Sequence, residues 1–204
     1  FGTYAVLSRY CPYRYKFPLY RHIPDEAASP ISNSINAIFQ DSDNDIWFGT
    51  NDAGVFSLNL EGNRLHHYKH EPNNPNTINS KTITGIGQDN QGTLWFSLWD
   101  WGGSALNSLN KNTGQVKRHK TCDDYYWNND IEVKNNKIIV GSWGYGLESY
   151  DKRKNDYYKI IRCHSTGFKR DMNNIHYLTA DGAGNLWFSS FAMFNAYSTN
   201  EKKS

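Results

Sequence analysis

The chain has few of the features that would indicate a membrane segment, a disulfide scaffold or a polyanion-binding protein. Its 204 residues carry 22 Lys and Arg against 20 Asp and Glu, a net charge of +2. So small a charge gives no electrostatic reason to expect a nucleic-acid partner for this segment. No apolar run is long enough to cross a bilayer, and no signal peptide is visible. Three cysteines are too few for a disulfide framework, so we expect Cys11, Cys122 and Cys163 to be free thiols.

A phrase that combines an Asp turn with an apolar strand recurs along the chain. It reads QDSDNDIWFGT at Gln40–Thr50, QDNQGTLWFS at Gln88–Ser97 and TADGAGNLWFSS at Thr179–Ser190, with the Asp six positions before the Trp each time. A weaker copy, VKNNKIIVGS at Val133–Ser142, has Asn-Asn in the turn and Ile139 in the Trp position. The chain is therefore a repeat protein.

The length of the repeat indicates the fold class. Successive copies are 44 to 48 residues apart, measured between Trp47, Trp95, Ile139 and Trp187. Units of this length with short strands and a Trp are typical of four-stranded β-propeller blades. Helical repeats would show apolar residues at three- and four-residue spacing, and none do so here. The sequence thus predicts an all-β protein, a partial β-propeller of which about four blades are covered.

The repeat also predicts how the chain divides into blades. We expect a complete blade in 31–77, another in 78–121, and a divergent blade in 122–166 that lacks both the Asp and the Trp. Residues 1–30 are interpreted as the C-terminal part of a blade whose start is missing, and 167–204 as an incomplete blade. A closed ring usually needs more blades, so we expect a longer protein around this segment.

The repeated Asp, Gly and Trp residues are predicted to be structural. An Asp carboxylate can bond the backbone amides of its hairpin, and glycine supplies positive φ without steric cost. At Gln40–Thr50 we expect Asp45 to replace that glycine, because Asp tolerates the left-handed region. Each Trp is expected to pack between adjacent blades. The predicted structural set is Asp41, Trp47, Asp89, Gly92, Trp95, Asp181, Gly184 and Trp187.

Asn33–Asp41 followed by Trp47–Thr50 closely resembles the two-component regulator propeller repeat, and Ile83–Ser97 and Gly141–Tyr150 resemble it in part. That family builds the extracytoplasmic sensor region of hybrid two-component sensor kinases in Bacteroides-type bacteria. The resemblance implies seven-bladed rings, an oligosaccharide ligand that controls genes for polysaccharide use, and a periplasmic ectodomain of an inner-membrane protein. It further implies an ectodomain homodimer and a membrane span outside this segment. The segment itself would not be an enzyme, although its parent protein would be a histidine kinase.

Candidate ligand-binding residues lie in loops that gather on one face of a propeller. Ligands commonly bind there, in the loops between second and third strands and between one blade and the next. Aromatic faces stack on the C–H face of pyranose rings, and neighbouring polar side chains bond the hydroxyls. The alternative is that these aromatics pack against a neighbouring blade or form a protein interface. The candidates are Trp99, Asp100, Trp101, Trp127, Trp143, Tyr145 and Arg170.

Two other classes of function remain open from the sequence. A propeller glycosidase would use paired acidic groups, and a lyase would use a His base with a metal, for which only His164 and His176 are near a suitable position. A structural protein-interaction propeller is the other class. His66 and His67 alternate on an outer strand and point to opposite faces, so we predict no metal site and no cofactor.

Overall fold

The computed structural model describes most of the chain, and the described residues form strands, turns and loops. None of them belongs to a helix long and apolar enough to span a membrane. The described residues are 7–8, 19–20, 32–59, 61, 64–100, 105–119, 126–134, 137–161, 174–190 and 194–198.

Seventeen strands are present in these stretches, and all pairings between them are antiparallel. A short pair is formed by β1 (Leu7–Ser8) and β2 (Leu19–Tyr20). Blade A comprises β3 (Ile35–Gln40), β4 (Ile46–Thr50), β5 (Val55–Asn59) and β6 (Arg64–Tyr68). Blade B comprises β7 (Ile83–Gln88), β8 (Thr93–Asp100), β9 (Leu106–Asn110) and β10 (Gln115–His119). Blade C comprises β11 (Tyr126–Lys134), β12 (Lys137–Ser142), β13 (Gly146–Asp151) and β14 (Asp156–Ile161). Blade D comprises β15 (Ile175–Ala180), β16 (Asn185–Ser190) and β17 (Phe194–Ser198).

Each blade is an up-and-down meander whose strands pair in chain order. The first strands of the four blades, β3, β7, β11 and β15, contact one another in succession. They are therefore the inner strands, and the predicted all-β propeller of four-stranded blades is confirmed.

Blades B and C are joined by an extra pairing that the sequence did not predict. The end of β8 pairs with the start of β11 through Trp99 with Trp127 and Asp100 with Tyr126. The prediction that Trp99 and Trp127 lie in loops is therefore wrong. Both strands extend beyond their own blade because each supplies the other with backbone hydrogen-bond partners.

The apolar cores lie between neighbouring blades. Trp47 of blade A packs in one cluster with Ile83 and Phe96 of blade B. The next clusters join blade B to C and blade C to D in the same way. They contain Trp95, Leu106, Ile131, Ile138, Val140, Tyr150 and Tyr157 in one case, and Ile139, Leu147, Ile175, Leu178, Leu186 and Phe188 in the other.

The six-residue spacing of Asp and Trp has a direct structural cause. In blade A, Oδ1 of Asp41 accepts hydrogen bonds from the amides of Asp43 and Asp45, at 2.9 and 3.0 Å. Its Oδ2 accepts the indole Nε1–H of Trp47 at 2.8 Å. The same indole bond occurs in blades B and D at 2.9 and 3.0 Å. One carboxylate thus shapes the hairpin and holds the Trp of the following strand.

The residue with positive φ in the first Asp turn is Asn44, not Asp45. Asn44 has a φ of 66°, equivalent to Gly92 at 78° and Gly184 at 90°. All three stand three positions before their Trp, and asparagine populates the left-handed region more readily than most residues. The prediction for Asp45 was therefore wrong by one position. Its carboxylate accepts a hydrogen bond from Asn59 Nδ2 at 2.7 Å.

A lysine from the following blade is bonded to the Asp turn. Lys111 of blade B donates to Oδ2 of Asp41 at 2.5 Å and of Asp43 at 2.7 Å, and Lys152 of blade C donates to Oδ2 of Asp89 at 2.8 Å. Burial acts to lower the pKa of Lys111, but the two aspartates outweigh it and raise that pKa. Burial also acts to raise the pKa of Asp41 and Asp89, and the lysine and indole bonds bring both below the ordinary value. In both cases a lysine of the outer hairpin thus bonds its blade to the Asp turn of the preceding blade.

Close approach of the inner strands predicts opposite effects for two glycine substitutions. A Cβ at Gly85 would lie 2.8 Å from Oδ1 of Asp130 and 2.9 Å from the backbone nitrogen of Ile131, whereas one at Gly182 would meet nothing within 4 Å. Gly85→Ala is expected to lower the free energy of unfolding by about 1–3 kcal/mol, since backbone cannot give way easily. Gly182→Ala is expected to raise it by about 0.4–1 kcal/mol through the unfolded chain's lower entropy. Urea unfolding of both variants measures this, and equal effects would contradict the inner-strand packing.

Candidate functional site

Three of the predicted ligand-binding residues form one continuous set of rings, here called the aromatic row. The ring centroids of Trp99 and Trp127 are 5.9 Å apart, and those of Trp127 and Trp143 are 6.4 Å apart. His176 extends the row, with its ring 5.6 Å from that of Trp143 and nearly perpendicular to it. The row therefore crosses blades B, C and D.

Strand geometry places these side chains together. Trp99 lies near the end of β8, Trp127 near the start of β11, and Trp143 directly follows β12. The amide of Trp143 donates to the carbonyl of Trp127 at 2.8 Å, which fixes the two backbones side by side. Trp99 and Trp143 are 43% and 38% exposed, so both indoles are partly open to solvent.

The backbone of Trp99 is held on both sides. Its amide donates to the carbonyl of Thr82 at 3.1 Å, and its carbonyl accepts a hydrogen bond from Ser80 Oγ at 2.6 Å. An exposed aromatic residue with a fixed backbone presents a ligand-binding face at low entropic cost, because little freedom is lost on binding.

The other candidate residues have different positions. Asp100 ends β8 through its backbone, and Trp101 and Arg170 lie outside the described residues. Tyr145 is half-buried and packs against the apolar cluster of Trp47 and Ile83. Their roles in a site stay predictions. The sequence predicts His176 as a packed residue of an inner strand or as a lyase base, and does not show its contact with Trp143.

The repeat's structural residues and the histidines of the outer strand serve packing. Trp47 and Trp95 are buried, and Trp187 is half-buried. His67 Nε2 lies 2.7 Å from the carbonyl oxygen of Ala53, and its ring stacks on Phe56. His70 Nδ1 lies 2.8 Å from the carbonyl oxygen of Ile78.

Two carboxyl groups of β11 face blade D. Oδ2 of Asp130 accepts the amide of Leu178 at 2.9 Å, and Oε2 of Glu132 accepts the amide of Ala180 at 3.2 Å. Burial raises the pKa of Asp130 to about 6, although the amides of Leu178 and Ile131 act against it. Burial also raises the pKa of Glu132. These acids hydrogen-bond the amides of β15 and join two blades.

Asp130→Asn is expected to gain stability relative to the unaltered chain as the pH rises from about 4 to about 6. The folded-state pKa of Asp130 lies above its ordinary value of 3.8, so ionisation over this window costs the folded chain stability. The loss of stability approaches about 3 kcal/mol. Asparagine does not ionise, so the variant avoids this loss and still keeps one acceptor oxygen. Urea unfolding of both proteins in pH steps measures the difference.

A second titrating group, His119, changes the stability with pH in the direction opposite to Asp130. Burial lowers the pKa of His119 from 6.5 to about 4, so the folded chain loses stability as the pH falls through that range. The two slopes offset one another in the unaltered chain, whereas the difference between the two proteins isolates Asp130. A difference that stays constant from pH 4 to pH 6 would contradict the raised pKa.

A Ser–His arrangement of blade B is buried and serves the core. His119 Nε2 lies 2.8 Å from Ser108 Oγ, and its Nδ1 lies 2.6 Å from the hydroxyl of Tyr150. Ser108 and His119 are 7% and 3% exposed, so substrate has no access to this pair.

A polar cleft of about 290 Å³ lies between the Asp turns of blades A and B. Its lining contains no aromatic side chain, and Lys111 there is bonded to Asp41 and Asp43. Without a ring to stack on a sugar, it is a weaker saccharide candidate than the aromatic row. The lining residues are Ser42, Asp43, Gln88, Gln91, Gly92, Thr93, Asn110, Lys111 and Asn112.

Comparison with known proteins supports the sequence resemblance. Residues 29–52 match the family model of the two component regulator propeller, which confirms the resemblance at Asn33–Thr50. The structure is similar to the extracellular domain of a protein described as a hybrid two component system from B. thetaiotaomicron, with a TM-score of 0.78 and 18% identity over 98% of this chain and 27% of that one. A second such domain from the same organism gives a TM-score of 0.68 and 18% identity over 97% of this chain and 29% of that one.

An enzyme also shares the fold. Virginiamycin B lyase from Staphylococcus aureus matches with a TM-score of 0.64 and 13% identity, over 91% of this chain and 60% of the lyase. No curated protein matches the sequence. The chain spans just over a quarter of the two B. thetaiotaomicron extracellular domains described above.

Proposed function

We propose that this chain is part of the extracytoplasmic ligand-sensing propeller of a hybrid two-component sensor kinase, and that it recognises oligosaccharides through the aromatic row. The observation that carries the proposal is the contact of Trp99, Trp127 and Trp143 across blades B and C, with two of the three indoles widely exposed. Scattered exposed aromatics are ordinary, whereas a contiguous set on a rigid sheet edge is typical of a binding surface.

The geometry suits a saccharide chain better than a compact ligand. Successive ring centroids are 5.9 and 6.4 Å apart and the ring planes are inclined at 31° and 63°, so the three rings offer several apolar contacts to successive units of a chain. Stacking on C–H faces is apolar and tolerates different hydroxyl patterns, and polar groups beside the row then supply specificity. Asp100, Trp101, Tyr145 and Arg170 are proposed as further ligand contacts, of which Trp101 and Arg170 lie outside the described residues.

The comparisons supply the context of signalling. The matched repeat model is a regulator propeller, and the similar ectodomains are described as parts of two component systems. We place the chain in the periplasm as part of the ectodomain of an inner-membrane protein, with its membrane span outside this segment. Signalling to transcriptional control of polysaccharide use is part of the same proposal.

Signal transfer is proposed to use a homodimer of ectodomains. The ligand favours one arrangement of the dimer, and the shift passes through the membrane to the kinase. It can shift that equilibrium only by its difference in affinity for the two arrangements.

The alternative is a propeller lyase or glycosidase, and the fold likeness to virginiamycin B lyase favours it. Asp130 and Glu132 are a pair of neighbouring acids, and burial raises the pKa of both, whereas a glycosidase needs one acid with a raised pKa and one ionised carboxylate. In addition, both bond backbone amides of β15, and His176 lies against Trp143. The sensor function therefore accounts for more of the described residues than catalysis does.

Calorimetric titration of the intact protein with plant, host and microbial oligosaccharides tests the proposal. Binding without any change in the product profile, together with ligand-dependent kinase output, is the expected result. Cleavage or elimination of a bound saccharide would establish the enzyme instead. Binding with no effect on kinase output would exclude the proposed signalling mechanism.

A further inference from the structure

A hydrogen bond between neighbouring blades recurs at one irregular position of the inner strand. Each inner strand skips one residue in its pairing with the second strand, and in blades A, B and C that residue is Asn36, Thr84 and Asn129. Their side chains donate to backbone carbonyls of the next inner strand at 3.1, 2.6 and 2.7 Å. The bond is therefore a repeated structural feature.

Asn129 differs from Asn36 and Thr84 in its second partner, because Thr84 Oγ1 lies 3.0 Å from Ser97 Oγ of its own blade whereas Asn129 bonds the indole of Trp99. Its Oδ1 accepts the indole Nε1–H of Trp99 at 3.1 Å, while its Nδ2 donates to the carbonyl of Ile175 at 2.7 Å. These two partners fix which way the amide points, since an indole N–H needs an acceptor and a carbonyl needs a donor. One side chain thus touches both the blade before its own and the blade after it.

We propose that Asn129 is the positioning residue of the aromatic row, which holds the Trp99 indole in line with Trp127 and ties the row to blade D. This inference rests on the proposed saccharide function only for its effect on affinity. Ile175 directly precedes His176, so Asn129 connects Trp99 to the strand at the other end of the row. A ligand that changes the orientation of the Trp99 indole therefore also changes the contact between blades C and D, through Asn129.

The variant Asn129→Thr tests the bond to Trp99 separately from the bond to Ile175. Threonine at the equivalent position 84 already donates to the next blade, so the variant keeps the bond to Ile175 but lacks the reach to accept from Trp99. Asn36→Thr is the matched control, because Asn36 makes the same bond between blades, to the carbonyl of Ile83, whereas the Trp99 indole N–H is bonded to Asn129. Unfolding of both variants shows whether the bond between blades survives.

Fluorine NMR of the intact protein labelled with fluorotryptophan reports the indole directly, with the Trp99 signal identified by its loss in Trp99→Phe. Asn129→Thr is expected to move that signal, and Asn36→Thr to leave it in place. With cellohexaose as the probe, Asn129→Thr is expected to weaken binding about two- to tenfold, the effect of one neutral hydrogen bond. In the Trp99→Phe background the same substitution is expected to have no effect on affinity, because the bond is already gone.

An unmoved Trp99 signal, or an equal shift in Asn36→Thr, would overturn the inference. Should Asn129→Thr fail to fold, Asn129→Asp keeps the acceptor for Trp99 while removing the donor to Ile175, and the Trp99 signal is then expected to stay in place. Movement of the signal in that variant would also overturn the inference. Failure of cellohexaose to bind the unaltered protein counts against the proposed ligand, whereas the Trp99 signal still decides the role of Asn129.

Discussion

Trp95→Ala is expected to lower the free energy of unfolding by about 3–5 kcal/mol, the range for removal of a buried Trp side chain. Trp95 is 3% exposed between blades B and C, with His119 and Tyr150 at centroid distances of 4.9 and 5.7 Å. Its indole also donates to Asp89, and Lys152 lies 6.0 Å from its ring. The substitution therefore leaves a cavity and removes a hydrogen bond and ring contacts together. Urea unfolding monitored by circular dichroism measures the loss.

Two further variants test how much of this loss comes from the hydrogen bond and how much from burial of the ring. Trp95→Phe keeps most of the volume and loses the bond to Asp89, so about 1 kcal/mol is expected from the bond, with packing adjustments added. Trp47→Ala removes the equivalent residue of blade A, which is 1% exposed between blades A and B, and is expected to cost a similar amount to Trp95→Ala. A cost below about 1 kcal/mol for Trp95→Ala or Trp47→Ala would contradict the assignment of the core to the space between blades.

The double variant Trp99→Ala, Trp143→Ala is expected to weaken saccharide binding at least about 100-fold. Removing an aromatic residue at the centre of an interface typically costs about 2 kcal/mol or more, and each factor of ten in affinity corresponds to about 1.4 kcal/mol. Both indoles are exposed, so little stability is lost with them. Calorimetric titration of the intact protein with the strongest ligand from the saccharide panel measures the change.

Tyr158→Ala is the matched control for that experiment. Tyr158 is 41% exposed, close to the values for Trp99 and Trp143, but it lies on β14, and Lys154 lies 5.2 Å from its ring. Its removal is expected to leave saccharide affinity unchanged. Unchanged affinity in the Trp99 and Trp143 double variant would move the site away from the aromatic row.

The blade repeat could be predicted because its chemistry is local. The Asp turn, the residue with positive φ and the Trp all lie within one hairpin, so their spacing is visible along the chain. The error at Asp45 arose within that same hairpin, because the turn was aligned by its acidic residues. Counting back from Trp47 places Asn44 at the position of Gly92.

Contacts between blades were not predictable from the pattern alone. Lys111 and Asp41 are 70 positions apart, and Asn129 and Trp99 are 30 apart. Such contacts depend on how neighbouring blades pack, and the sequence of a single hairpin does not determine that packing. The extra pairing of β8 with β11 also brings Trp99 beside Trp127, whereas the predicted positions were two separate loops. The sequence proposed the three indoles as candidates, but their arrangement in a row was not predictable from it.

Fluorine NMR of the fluorotryptophan-labelled intact protein, titrated with size-fractionated oligosaccharides, tests the central claim most directly. If the aromatic row is the ligand-binding surface, the signals of Trp99, Trp127 and Trp143 shift and saturate together, while those of buried Trp47 and Trp95 stay in place. Saccharide binding detected by calorimetry with the three row signals unmoved would contradict the account. So would the absence of binding by any saccharide fraction.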